Sequence, residues 1–137
     1  MIIAALIFVI SLSLLLQFFV SYCRSVIGPN CNERVSEQVW EIAGGNNRKL
    51  RSDEFNRFVQ LVRLCPSRGQ DESDIRVVSL YYRLLNSARL VARFISPAFA
   101  RWTESEREKC SHFAAVVLDR RINYSRELLT HQAPDAV

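Results

Sequence analysis

Histidine is scarce in this sequence, and the short motifs that hold metals or nucleotides are missing. The chain has two histidines, His112 and His131, and no H-E-x-x-H, P-loop or G-x-G-x-x-G pattern. Glu108 and His112 stand four residues apart, so they would offer a metal only two ligands. An exposed helical pair explains that spacing as well. The sequence therefore predicts no metal site and no cofactor.

A nucleophile paired with a base is also missing. Cys110 and His112 are two residues apart, and on a helix that spacing points the side chains in different directions. Acidic residues are grouped where helices are expected to begin, and there they complement the helix dipole. We therefore predict no catalytic residue. The alternative is an enzyme whose site is assembled from residues that also have a structural interpretation: Glu108, Cys110, His112 and Arg121.

Lysine is nearly absent among the basic residues. The chain has sixteen arginines and two lysines, and its net charge is +4. A clustered basic face attracts anionic lipid headgroups or nucleic acid. The sequence lacks a helix-turn-helix signature, so nucleic acid is not the expected partner, although a basic regulator that binds it is a second alternative. We expect lipid-headgroup contacts from Arg24, Arg48, Lys49 and Arg51.

Charge is absent from the first twenty residues, apart from the terminal amine. The run from Ile2 to Val20 is about 28 Å long as a helix, close to the thickness of a bilayer core. Its fourteen Leu, Ile, Phe and Val side chains favour insertion by roughly 4 to 8 kcal/mol. The sequence therefore predicts a single-pass membrane anchor.

A cleaved signal peptide is the competing interpretation of this run. A signal peptide has a basic start, a shorter apolar core and a small-residue cleavage site, and none of these occurs here. We therefore expect an uncleaved anchor. Arg24 and Arg34 follow the run and no basic side chain precedes it, so the positive-inside rule predicts a cytoplasmic C-terminal domain.

The redox state of the four cysteines depends on which side of the membrane the C-terminal domain lies. In the cytoplasm they are expected to be reduced thiols. Outside it, a Cys31–Cys65 or Cys65–Cys110 disulfide becomes the expectation.

The rest of the chain has helical periodicity and no long alternation typical of strands. We predict helices that begin at Asn32, Ser52, Asp74 and Thr103. Thr103 and Glu106 have the spacing of a capping box, which predicts a last helix from Thr103 to about Leu129. Two apolar stripes on that helix predict either a central position or a partner. The fold class is therefore all-α, an N-terminal transmembrane helix followed by a small irregular bundle of about four helices.

The expected organisation is an anchor at 1–24, a juxtamembrane turn at 25–31, a helical bundle at 32–130 and a flexible tail at 131–137. The bundle has more large apolar positions than a domain of its size can bury, and unburied ones tend to mark interfaces. We therefore predict a membrane-anchored, non-catalytic interaction or scaffold module. The residues expected to contact a partner protein, a second copy or the bilayer are Leu90, Phe94, Leu118 and Ile122.

Overall fold

The residues that the structure describes form five α-helices and one short 3-10 helix, which confirms the all-α prediction. The computed structural model describes residues 1–42, 54–67 and 69–132, and no strand occurs among them. The helices are α1 (Ile2–Ile27), the 3-10 helix (Gly28–Asn32), α2 (Glu37–Ile42), α3 (Phe55–Leu64), α4 (Gly69–Ile95) and α5 (Pro97–Gln132).

The central element is α5, against which α1, α2, α3 and α4 all pack. The six consecutive residues from Phe113 to Leu118 are each at most 2% exposed. A helix that is buried around its whole circumference lies in the middle of a bundle. The two apolar stripes seen in the sequence therefore reflect a central position.

The first turn of α5 corrects the predicted capping box. Ser96 precedes the helix, and its hydroxyl accepts a hydrogen bond from the backbone amide of Phe99 at 3.2 Å. Pro97 follows as the first helical residue, where its missing amide and fixed φ are tolerated. Thr103 therefore lies inside the helix and donates to the Ala100 carbonyl at 2.8 Å.

Two other predicted helix starts are also displaced. Asn32 ends the 3-10 helix, and α2 begins only at Glu37. Ser36, just before α2, instead donates its hydroxyl to Asp119 of α5 at 2.6 Å. The long helix α4 begins at Gly69, five residues before Asp74, with Asp71 in its first turn. The predicted start at Ser52 lies outside the described residues.

The amphipathic pattern of α3 is borne out by its packing. Phe55, Phe58, Val59 and Val62 are buried, as their spacing predicts. The Phe55 ring stacks on Tyr82 of α4 with centroids 4.2 Å apart.

The helix α1 has a free part and a docked part. Residues 2–18 are all exposed, whereas Cys23 and Ile27 are at most 2% exposed and belong to the bundle core. Phe19, Val20 and Val26 pack against the same core. The helix continues through the predicted boundary at residue 24 because its last two turns contribute apolar side chains to the domain.

We predict that Phe58→Ala lowers the free energy of unfolding by about 3–5 kcal/mol, because it removes a ring that is 1% exposed and leaves a cavity. Phe94→Ala is the matched control, since its ring is 91% exposed. Urea unfolding of the full chain in detergent micelles measures both. An equal loss in the two variants would contradict the core assigned here.

Candidate functional site

Polar contacts define the direction in which α1 runs along α5. Arg24 of α1 lies 3.6 Å from the Glu106 carboxylate. Further along both segments, Arg120 donates to Asn30 at 2.7 Å and to Glu33 at 2.6 Å. Later residues of the N-terminal segment therefore contact later residues of α5, so the two helices run in the same direction.

The helix α4 runs in the opposite direction. Tyr81 donates its hydroxyl to Glu106 at 3.0 Å, and further along α4 the Arg89 guanidinium lies 3.8 Å from the earlier Glu104. The Phe19 ring of α1 meets Tyr81 edge-on, with centroids 6.4 Å apart. From Tyr81 onward, α4 therefore extends toward the side on which the exposed part of α1 leaves the bundle.

That end of the α4–α5 hairpin exposes large apolar side chains. We define the apolar end surface by Leu90, Val91, Phe94 and Ile95, which are 69%, 53%, 91% and 67% exposed. Along most of α4 an apolar face is buried, whereas these four side chains in its last two turns are uncovered. Trp102 lies nearby in α5 and stacks on Phe99, with ring centroids 5.6 Å apart.

The same end of the molecule is positively charged. From Ile75 to Thr103 the sequence contains five arginines and no acidic residue. Arg89 is near Glu104, but Arg93 and Arg101 form no ion pair within the described part of the chain. An exposed apolar surface flanked by free arginines is typical of proteins that contact anionic membranes.

The four predicted interface residues differ in how exposed their side chains are. Leu90 and Phe94 are exposed in the apolar end surface, and their role as contacts stays a prediction. Leu118 is 2% exposed, so its side chain has no surface to offer a partner. Ile122 is partly buried against the core. Leu118 faces inward because this part of α5 is covered on every side, and we withdraw it as an interface residue, whereas the contact role of Ile122 stays a prediction.

Of the four residues predicted to contact lipid headgroups, the structure describes only Arg24. The Arg24 side chain is 54% exposed, where it can reach headgroups while lying near Glu106. Arg48, Lys49 and Arg51 lie outside the described residues.

A buried polar cluster joins α1, α4 and α5, and sequence reasoning missed it. Glu106 is 1% exposed, and it accepts hydrogen bonds from Tyr81 at 3.0 Å and from Lys109 at 2.8 Å. Burial and the Glu106 carboxylate raise the pKa of Tyr81 above its usual range. The next residue, Arg107, is 2% exposed and donates to the Tyr82 hydroxyl at 3.1 Å. No spacing rule signals this cluster, because Tyr81 and Glu106 are 25 positions apart in the sequence, as are Tyr82 and Arg107.

The residues of the alternative enzyme site are not arranged for nucleophilic chemistry. Burial, with a contribution from Glu106, raises the pKa of Cys110 far above its usual value, so its thiol is protonated at neutral pH. Glu108 is exposed, and Arg121 is buried against α3. All four cysteines are free thiols. No group of three or more potential metal ligands occurs in the ranges that the structure describes.

By length and composition, α1 is able to cross a membrane, although a signal sequence at the same place has these properties too. No protein-family model, curated protein or solved structure matches this chain.

We predict that stability falls as the pH is lowered through about 6.5, the ordinary pKa of histidine. Burial lowers the pKa of His112, and the Glu33 carboxylate opposes this shift only in part. The unfolded chain therefore takes up a proton at a pH where the folded chain does not, so unfolding becomes more favourable. His112→Gln should weaken this dependence, as measured by thermal unfolding of the full chain between pH 7.5 and 5.5. An unchanged pH profile in the variant would contradict the assignment.

Proposed function

We propose that this protein is a membrane-anchored, non-catalytic helical interaction module that contacts the bilayer at two places. The observation that carries the proposal is the direction in which two apolar segments leave the bundle. The exposed part of α1 and the apolar end surface leave the bundle on the same side, as the contacts of Tyr81 with Phe19 and Glu106 indicate.

The first contact is the anchor itself. Residues 2–18 of α1 touch nothing that covers them and are exposed along their whole length. As a helix, this segment is about 26 Å long, which suits the hydrocarbon core of a bilayer. Such a continuous apolar surface is unfavourable in water, and insertion into lipid removes it.

The second contact is the apolar end surface. Ile95 lies about 21 Å along α4 from the level of Tyr81, on the side on which the exposed part of α1 leaves the bundle. Phe94 and its apolar neighbours would enter the outer part of the bilayer, while Arg93 and Arg101 would remain among the headgroups. The bilayer is the occupant that we propose, since it already surrounds the neighbouring anchor.

The functional consequence is a fixed orientation of the bundle. One helix crossing the bilayer would leave the domain free to tilt, whereas a second contact some distance away restricts it. A bundle held in this way presents the surfaces of α2 and α3 away from the membrane. We propose that these surfaces are available to partner proteins.

We predict that the full chain remains in the membrane pellet after alkaline carbonate extraction and keeps its uncleaved mass. The paired substitution of Leu12→Arg and Leu15→Arg should release it, because each arginine near the helix centre opposes insertion by about 2.5–3.5 kcal/mol. A reporter after Val137 that is active only in the cytoplasm should be active. A shortened N terminus in the mass spectrum would instead identify α1 as a signal sequence.

We further predict that a photoreactive benzophenone amino acid replacing Phe94 forms lipid adducts in membranes. The same group replacing Leu64 serves as the matched control, because Leu64 is 83% exposed but lies at the end of α3, away from this surface. Mass spectrometry of the products distinguishes the occupants. A dimer adduct at position 94 would show that a second copy covers the surface, and a heterologous protein adduct would show a partner. Either result would overturn the bilayer contact.

A further inference from the structure

A cleft between α3 and α4 is lined by four arginines. Its volume is about 510 Å³, and part of its wall is formed by Arg121 of α5. Arg63, Arg76 and Arg83 also line it, against the single carboxylate of Glu72. Four positive charges and one negative charge give the cleft a net charge of +3.

Among the described residues, only Arg76 of these four arginines has a carboxylate neighbour. Arg76 lies 3.0 Å from Glu72, with which it forms an ion pair one helical turn apart. Arg63, Arg83 and Arg121 form no ion pair within residues 1–42, 54–67 and 69–132. Three guanidinium groups without a carboxylate partner therefore converge on one cleft.

Arg121 is the unusual member, because it is 4% exposed. Its Nη1 donates to the backbone carbonyl of Val62 at 2.9 Å. Its Nε is buried and has no hydrogen-bond partner among the described residues, and the same is true of the Ser79 hydroxyl on the cleft wall. Buried donors without acceptors are unfavourable, so the site is incomplete as an internal structure.

We propose that this cleft binds a phosphate ester. A guanidinium group is planar and donates in parallel to two oxygens of a phosphate, which suits a pocket with three unpaired arginines. Rotation of the Ser79 side chain would add a hydroxyl donor. Ile75 and Leu80 line the same cleft and would contact the apolar part of the ester.

The phosphate could belong to a soluble organic molecule or to a lipid headgroup, and both sources fit this chemistry. Arg83 lies two residues beyond Tyr81, toward the side from which α1 emerges. The proposal does not depend on the proposed bilayer contact, because the cleft is formed by α3, α4, α5 and the connection after α3.

Exposed arginines inside and outside the cleft provide a test variant and a matched control variant. The cleft variant carries Arg63→Gln and Arg83→Gln, one substitution on α3 and one on α4. The control carries Arg57→Gln and Arg126→Gln, which remove the same charge but lie outside the cleft and away from the apolar end surface. All four side chains are exposed, so both variants should fold, and thermal unfolding checks this.

The experiment titrates the full chain in zwitterionic micelles with inorganic phosphate and with glycerol phosphate at constant ionic strength. Calorimetry gives the affinity, and native mass spectrometry of nanodiscs containing phosphatidylcholine with phosphatidylglycerol counts bound anionic lipid. We expect about a tenfold loss of binding in the cleft variant, equivalent to about 1.4 kcal/mol, and little change in the control.

Comparing the titration with soluble phosphates and the nanodisc measurement identifies the source of the bound phosphate. Binding of glycerol phosphate that depends on Arg63 and Arg83 supports a soluble ester, whereas dependence seen only with phosphatidylglycerol supports a headgroup. Equal losses in the cleft and control variants would show that general surface charge is responsible and would overturn the site. Absence of binding in both arms would overturn it as well.

Discussion

The architecture depends on one buried carboxylate. Glu106 is almost fully enclosed at the point where α1, α4 and α5 meet, and it is bound there by Tyr81 and Lys109 with Arg24 close by. A buried charge is unfavourable by several kcal/mol unless its partners are all in place. Because the partners of Glu106 come from three helices, the carboxylate is satisfied only when those helices have the register observed here. The apolar core alone would tolerate several registers, since aliphatic contacts have no direction.

This register gives the molecule two different ends. The free part of α1, the last turns of α4 and the first turns of α5 lie at one end, which is apolar and carries Arg93 and Arg101, neither of which has an ion pair among the described residues. The contacts of Arg120 with Asn30 and Glu33 lie toward the other end and are polar. A molecule with this asymmetry has a preferred orientation at an interface between water and lipid. In the membrane contact that we propose, the orientation would follow from the direction of the helices in the bundle, and α1 alone would not impose it.

Sequence reasoning succeeded where a property is local. The apolar run of α1, the buried face of α3 and the all-α class each follow from the spacing of apolar residues over a few turns. It failed for Thr103 and Glu106, whose capping-box spacing also occurs inside a helix. There Glu106 meets Tyr81, a residue 25 positions earlier. It also placed Leu118 on a surface, because a stripe of apolar residues does not reveal how many neighbours a helix has. The arginine cleft was missed for the same reason, since Arg63, Arg83 and Arg121 approach one another only after the bundle forms.

The sequence by itself determined the helices and the strongly apolar N-terminal segment, because backbone hydrogen bonding and apolar periodicity act between residues at most four positions apart. Only the tertiary structure decided which apolar residues remain uncovered and which charged residues are enclosed. Leu90 and Leu118 have the same side chain on neighbouring helices, yet one is exposed and the other is buried, because the middle of α5 lies in the centre of the bundle and the last turns of α4 lie at its end. Arg93 and Arg121 differ in the same way. The chemistry of each side chain is present in the sequence, but its environment depends on contacts between distant segments.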